Sequence, residues 1–205
     1  MTEQADRVLD AGSPADRLAD AAITVIARDG FDALSVRGVA REASVTGGTV
    51  QHHFPTKAEL VAAALDRTVR RQGIRMTIAS AGIVDPVERV IAGLGALVPR
   101  DRAGRDEVVV WVAMSAAVGG SELVAERHGR AVEALHIWLS AQLDEAVANG
   151  AIAAGLDLTE TVPMLEAALD GVTLQAVAEQ QTDTVASALT ARLAGLVRAI
   201  LARPR

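Results

Sequence analysis

A group of polar side chains between residues 46 and 57 has the residue types that bind nucleic acids or metal ions. Threonine, glutamine and histidine hydrogen-bond to base edges, and lysine and arginine bind phosphate. His52 and His53 are also of a metal-ligand type, but neighbouring residues of a helix point about 100° apart and chelate poorly. Serine, histidine and acid form no readable catalytic motif. The sequence therefore predicts no enzyme, metal site or cofactor.

The same stretch has the signals of a short helix held between two turns. Thr46 is placed as the N-cap of a helix over residues 47–54, and Pro55 prevents that helix from continuing. A T-x-x-E capping box at residues 56–59 then starts another helix. Val50 is predicted to face inward. The side chains predicted to point outward are those of Gly48, Gln51 and His52.

The segment before it completes a helix-turn-helix. Ser35 is placed to cap a helix that ends near Glu42, and a short turn leads from there to the 47–54 helix. In DNA-binding versions of this unit the second helix enters the major groove. We therefore expect phosphate or base contacts from Ser35, Arg37, Thr46, Gly47, Gly48, Thr49, Gln51, His52, His53 and Lys57.

Residues 17–60 resemble the DNA-binding domain of the TetR family of bacterial transcription regulators. The resemblance implies an all-helical homodimer whose C-terminal domain binds a small effector. The matching motifs are Ala21–Ala22, Gly30–Phe31, Leu34–Ser35–Val36–Arg37, Val39–Ala40, Val45–Thr46, Thr49–Val50, His53–Phe54–Pro55, Lys57 and Glu59–Leu60.

Three residues depart from the common pattern of that family. Gly47 stands where the recognition helix often begins with Arg or Lys, and Gln51 stands where a Tyr is frequent. Both changes affect the usual DNA contacts, so the operator cannot be inferred from a relative. Ser44 replaces a frequent turn glycine, but a small polar residue also serves in a turn.

The net charge of −6 is unusual for a DNA-binding protein, but its distribution is uneven. Residues 1–75 hold ten basic and ten acidic residues, whereas residues 76–205 hold ten basic and sixteen acidic ones. Attraction to DNA depends on the local patch, and residues 33–57 carry three basic residues against Glu42 alone. The chain has no cysteine, which fits a reducing cytoplasm, and no apolar run that suggests a membrane span.

Caps and apolar periodicity predict an all-α fold of about nine helices. Residues 13–60 are expected to form a three-helix DNA-binding domain, and residues 61–205 a larger effector-binding and dimerisation domain. Outside the helix-turn-helix, helices are predicted at about 13–29, 57–80, 85–98, 103–118, 121–149, 159–180 and 184–202. Gly93–Leu94–Gly95 lies inside one of them and is interpreted as a packing feature rather than a dinucleotide loop.

Large adaptable side chains are candidates for an effector pocket, although each also fits an ordinary core position. They are Trp111, Met114, Trp138 and Met164. The last two helices have apolar stripes suited to a symmetric partner. The candidate interface residues are Gly171, Leu189, Leu193 and Leu196, with Gly171 equally readable as a tolerated surface glycine.

These observations favour a homodimeric regulator, most simply a repressor that a small, largely apolar effector releases from a palindromic double-stranded operator. The alternative is a helical carrier of small molecules or lipids without a DNA function. The local basic patch favours the regulator.

Overall fold

The computed structural model describes residues 12–179 and 182–202, and within these ranges it contains nine α-helices and no strand. The predicted all-α class is confirmed. The helices are α1 (Pro14–Asp29), α2 (Val36–Glu42), α3 (Gly47–His53), α4 (Lys57–Ser80), α5 (Pro86–Gly95), α6 (Arg102–Ala117), α7 (Glu122–Ala148), α8 (Leu158–Ala178) and α9 (Asp183–Leu201), with a 3₁₀ turn at Val118–Gly120.

Side-chain caps explain where most of these helices begin. Ser13, Ser35 and Thr46 each accept a hydrogen bond from the backbone N–H three residues later, as the sequence predicts. Helix α8 begins close to the predicted residue 159, and its cap is Asp157. The Asp157 carboxylate accepts both the Thr159 backbone N–H at 2.9 Å and the Thr159 hydroxyl at 2.7 Å.

The chain divides into two compact units, and the boundary between them falls within α4, α6 and α7. The first unit combines the chain up to Ile74 with residues 106–131, and the second combines residues 75–105 with those from Val132 onward. The sequence placed a division after residue 60. The difference arises because Val110, Met114 and Val124 pack in the same core as α1–α3.

A buried ion network joins α1 to α4 within the first unit. The Arg67 side chain is 4% exposed, and its Nε and Nη2 donate to the two carboxylate oxygens of Asp20 at 3.0 and 3.2 Å. Arg71 also pairs with Asp20, at 3.0 Å, and lies 3.8 Å from the buried Glu107 of α6. These pairs fix α1 on the long helix α4.

A second ion pair joins α1 to α4, since Arg70 donates to the Asp16 carboxylate at 2.5 Å. Burial alone would raise the pKa of Asp16. Hydrogen bonds from Ser13 and the charges of Arg70 and Arg67 outweigh burial, so the pKa is lowered. The stability that this ionised carboxylate contributes is present above its unfolded pKa and is lost as the pH falls through the folded value.

The second unit is held by aliphatic side chains from α5, α7, α8 and α9. Gly93 lies against the ring of Trp138, where an added Cβ would meet the ring at 2.6 Å, and Gly95 lies against Thr190. Any larger residue at position 93 would have to displace the indole ring. The interpretation of Gly93–Leu94–Gly95 as a packing feature is confirmed.

Helix α9 corrects the expectation that no segment resembles a membrane span. By length and composition it passes a test for a spanning helix, with 33% of the tested window buried. One such helix is weak evidence, because core helices of soluble proteins pass the same test. Leu189, Leu193 and Val197 of α9 are buried in the second core, so one face of the helix is already covered by protein.

The backbone of Ser44 is in the left-handed region with φ of 55°, which residues other than glycine rarely adopt. It comes one residue after the C-cap of α2, Ala43, and the turn is closed by a hydrogen bond from the Val45 N–H to the Ala40 carbonyl at 2.9 Å. The frequent glycine of the related pattern therefore has a conformational reason at this position. Serine serves there at a cost in backbone strain.

We expect Ser44→Gly to stabilise the protein by about 0.5–1 kcal/mol. Relief of left-handed strain is worth about 1–2 kcal/mol, and the larger entropy of unfolded glycine removes part of it. Urea denaturation of the variant against wild type and Ser44→Ala measures the difference. Ser44→Ala keeps the Cβ and should show no gain, and a destabilised glycine variant would contradict the strain assignment.

Candidate DNA-binding surface

Val50 anchors helix α3, because its side chain is fully buried in the core of the first unit. Gly48, Thr49, Gln51 and His52 are exposed, whereas Gly47 and His53 are partly buried. The structure thus places the predicted base-reading side chains on the solvent side of a short braced helix. Phe54 ends the helix and packs against the same core.

Hydroxyl groups at the two helix starts are arranged as the sequence predicts. The Ser35 Oγ accepts the Gly38 N–H at 3.2 Å, and the Thr46 Oγ1 accepts the Thr49 N–H at 3.2 Å. In both cases the oxygen is used as a cap, while the hydroxyl hydrogen can be donated outward. The Thr46 and Thr49 hydroxyls also lie within 3.0 Å of each other.

The two glycines that begin α3 have no steric reason to be glycine. A Cβ at Gly47 would lie 3.8 Å from Val36, and one at Gly48 would lie 3.7 Å from the Thr46 hydroxyl, both ordinary contacts. Neither glycine has a positive φ. Glycine costs about 1 kcal/mol relative to alanine inside a helix, so packing does not explain this pair.

The charges around α3 favour phosphate binding more than the sequence alone indicates. Glu42 is the acid that opposes the local basic patch, and Arg28 of α1 binds its carboxylate at 2.8 Å. Arg28 also donates to Asp29, and this hydrogen bond lowers the pKa of the Asp29 carboxyl. Arg37 and Arg41 of α2 are exposed. The role of Arg28 was missed because it lies 14 residues from Glu42.

Lys57 begins α4 and is held at the base of the DNA-binding unit. Its ammonium lies 5.6 Å from the centroid of the Phe31 ring and donates to the Asp32 carbonyl at 3.4 Å. The capping box beneath it is formed, since the Thr56 N–H donates to the Glu59 carboxylate at 2.9 Å and the Thr56 hydroxyl accepts the Glu59 N–H at 3.2 Å. Lys57 remains exposed and able to bind a phosphate.

The two adjacent histidines make ring contacts with each other and with Phe54. The His52 and His53 rings are edge to face with centroids 5.4 Å apart, and His53 lies 6.3 Å from the Phe54 ring. Among residues 12–179 and 182–202, no group of three histidine, cysteine or acidic side chains is placed to hold a metal ion.

The four predicted effector residues fall in different units. Met114 is fully buried in the first core, and Trp111 packs on that core with its ring stacked 4.5 Å from His128. Trp138 covers Gly93 in the second unit, and Met164 is partly buried on α8. Contacts within their own units account for the burial of Trp111, Met114 and Trp138.

The predicted interface residues also separate into two groups. Leu189 and Leu193 are 2% and 1% exposed in the second core, so they have almost no surface to offer a second chain. Their assignment to an interface is corrected here, because the apolar stripe faces the chain's own core. Leu196 is 40% exposed, and Gly171 is exposed with open space around its Cβ position.

Comparison with known proteins matches both parts of the chain to one family. Residues 18–64 match the model described as bacterial regulatory proteins, tetR family. Residues 86–202, more than half of the chain, match the C-terminal domain of BetI-type transcriptional repressors. The chain belongs to the TetR family of bacterial regulatory proteins. The sequence prediction of a DNA-binding regulator is therefore confirmed at the level of the family.

A curated relative and a solved structure agree with this membership, and a second solved structure has the same fold. The repressor KstR of Mycobacterium tuberculosis is 28% identical over 134 residues, which are 65% of this chain and 58% of KstR. A transcriptional regulator from Rhodococcus sp. Rha1 is 30% identical with a TM-score of 0.75, covering 94% of this chain and all of that one. The regulator FadR of Bacillus subtilis, solved with stearoyl-CoA, is 21% identical with a TM-score of 0.75, covering 92% and 98% of the two chains.

The curated relatives match over less than two thirds of their own length. FadR, at its lower identity, shows the fold alone. These TetR-family matches favour the regulator over the helical carrier that the sequence left as an alternative.

Proposed function

We propose that this TetR-family chain is a cytoplasmic, homodimeric repressor that binds a palindromic operator through α3 and leaves it when a small, largely apolar effector binds. The observation that carries the DNA part is the face of α3, where Gly48, Gln51 and His52 are exposed above the buried Val50. Ser35, Arg37, Thr46 and Lys57 lie around it as phosphate contacts.

The surface of α8 and α9 supports a second copy of the chain as partner. Leu174 and Leu196 are 53% and 40% exposed, although leucine is usually buried. Gly171 and Gly195 lie near them in the sequence and have nothing within 4 Å of their Cβ positions. Small residues close to exposed leucines allow two helix pairs to approach closely. A symmetric dimer would cover the apolar side of α9 that the single chain leaves exposed.

Leu196→Glu is therefore expected to convert a dimer into a monomer. The two-fold axis brings equivalent surfaces together, and a carboxylate on each would be desolvated in the interface. We expect the dimer dissociation constant to rise at least about 100-fold, since such charges cost several kcal/mol. Light scattering at micromolar concentration measures the change.

Val84→Glu is the matched control, because Val84 is 88% exposed in the turn before α5 and should leave the dimer intact. A monomeric wild type, or a Leu196→Glu variant that stays dimeric, would contradict the proposed interface.

An apolar effector is supported by the composition of the second unit and by the stearoyl-CoA bound to the structurally similar FadR. The core of that unit is aliphatic, with Trp138 as its large aromatic side chain. An effector acts by binding better to the arrangement that does not fit DNA than to the one that does.

Fluorescence anisotropy with labelled genomic fragments tests the two parts of this proposal separately. The protein is titrated onto the fragments, and stearoyl-CoA or coenzyme A alone is then added. Saturable, salt-sensitive binding that stearoyl-CoA reverses and coenzyme A does not is expected. Absence of binding would contradict the DNA function, whereas binding that stearoyl-CoA does not reverse would count only against the apolar effector.

A further inference from the structure

We propose that Thr49 reads an exocyclic amino group, that of adenine or cytosine, by accepting a hydrogen bond from it in the major groove. The inference rests on the proposed DNA-binding face of α3 and adds a specificity-determining residue to it. It follows from the hydroxyl pair at the start of α3 and from the two glycines beside it.

The hydroxyl pair has two arrangements of its hydrogens. The Thr46 Oγ1 already accepts the Thr49 N–H at 3.2 Å, and it lies 3.0 Å from the Thr49 Oγ1. If Thr46 donates to Thr49, the Thr49 hydrogen is available to a base. If Thr49 donates to Thr46, the Thr46 hydrogen is available outward, and the Thr49 oxygen can only accept.

Phosphate selects the second arrangement. A phosphate oxygen is a charged acceptor, and a hydroxyl donates to it more strongly than to a neutral hydroxyl. When Thr46 donates to the DNA backbone, the Thr49 hydrogen turns to Thr46. Thr49 then presents only lone pairs and a methyl group to the groove. The major-groove donors are the N4 amino group of cytosine and the N6 amino group of adenine.

The glycines give this short side chain its reach. Gly47 and Gly48 have room for a Cβ and no positive φ, so the fold does not require them. Without side chains at the start of α3 the backbone can approach the base edges more closely. At about 100° per residue, Thr49 shares one flank of the helix with His52, while Gln51 lies on the other. Thr49 and Gln51 therefore read different base pairs.

The test is a selection from a random duplex library with wild type, Thr49→Val and Thr49→Ser. Valine has the shape of threonine without the hydroxyl, and serine keeps the hydroxyl. Thr49 is exposed, so both variants are expected to fold, which thermal denaturation checks. Wild type and Thr49→Ser should prefer adenine or cytosine at one position of each half-site. In Thr49→Val the preference for adenine or cytosine should fall about tenfold, and only at that position.

A second measurement assigns the contacted group. Replacing the selected adenine by unsubstituted purine, or the cytosine by 2-pyrimidinone, removes the amino group. Wild type should lose about tenfold in affinity on this change, and Thr49→Val should lose little.

Three results would overturn the assignment. A preference for guanine or thymine at the position that Thr49→Val alters would mean that Thr49 donates. An equal loss on every sequence would place Thr49 on the phosphates. If wild type enriches no sequence, the proposed DNA-reading face of α3 is wrong, and so is the role proposed for Thr49.

Discussion

Gly48→Asp is expected to lower the affinity for operator DNA by at least about 100-fold while leaving the protein as stable as wild type or slightly more so. A carboxylate on the exposed side of α3 would face the phosphates, and such like-charge juxtaposition costs several kcal/mol. The fold accepts the change, because a Cβ at this position makes an ordinary contact at 3.7 Å with the Thr46 hydroxyl. An acid in the first turn of a helix is mildly stabilising.

Gly129→Asp is the matched control for this experiment. Gly129 lies on α7, is exposed and has nothing within 4 Å of its Cβ position. The Gly129→Asp substitution changes the net charge by the same amount as Gly48→Asp, at a position far from α3 in the sequence. Anisotropy titrations and thermal melts of both variants separate DNA binding from folding. Equal affinity losses in the two variants would mean that net charge, and not the face of α3, governs binding.

Arg67→Met is expected to destabilise the protein by about 3 kcal/mol. Removing one partner of a buried ion pair costs about 3–5 kcal/mol, and the lower end applies here because Asp16 and Asp20 keep Arg70 and Arg71 as partners. Methionine retains most of the length of the side chain, so the loss reports the charge network more than a cavity. The midpoint of urea denaturation measures it.

Arg28→Met is the matched comparison, because Arg28 also binds two carboxylates but is much more exposed than Arg67. Its partners are Asp29 at 2.9 Å and Glu42 at 2.8 Å, and its side chain is 42% exposed. Exposed pairs contribute little to stability, so its substitution should hardly move the denaturation midpoint. It should instead weaken DNA binding by freeing Glu42. A comparable loss of stability in both arginine variants would contradict the role given to the buried network.

Local signals in the sequence were sufficient to place the DNA-binding helices. The caps at Ser13, Ser35 and Thr46 and the box at Thr56–Glu59 are hydrogen bonds between residues three apart, so residue type and spacing predict them. Pro55 ends α3 by its own covalent geometry. The starts of α1, α2 and α4 follow for the same reason.

Contacts between distant residues could not be predicted in this way. Arg67 and Asp20 are 47 residues apart, and nothing in either neighbourhood distinguishes this pair from an exposed one. The stripe on α9 shows the same limit. Periodicity identifies Leu189, Leu193 and Leu196 as apolar positions, but only the fold shows that the first two are buried within the chain and the third is exposed.

The central claim is that the exposed face of α3 reads a symmetric operator, and sequencing of genomic fragments retained by the purified protein tests it most directly. Wild type and Gly48→Asp are compared on the same fragments. We predict that wild type enriches an inverted repeat whose half-sites are centred about 10 base pairs apart, or a multiple of that, and that Gly48→Asp does not. Equal retention of the same fragments by both proteins, or enrichment of no common sequence by wild type, would contradict it.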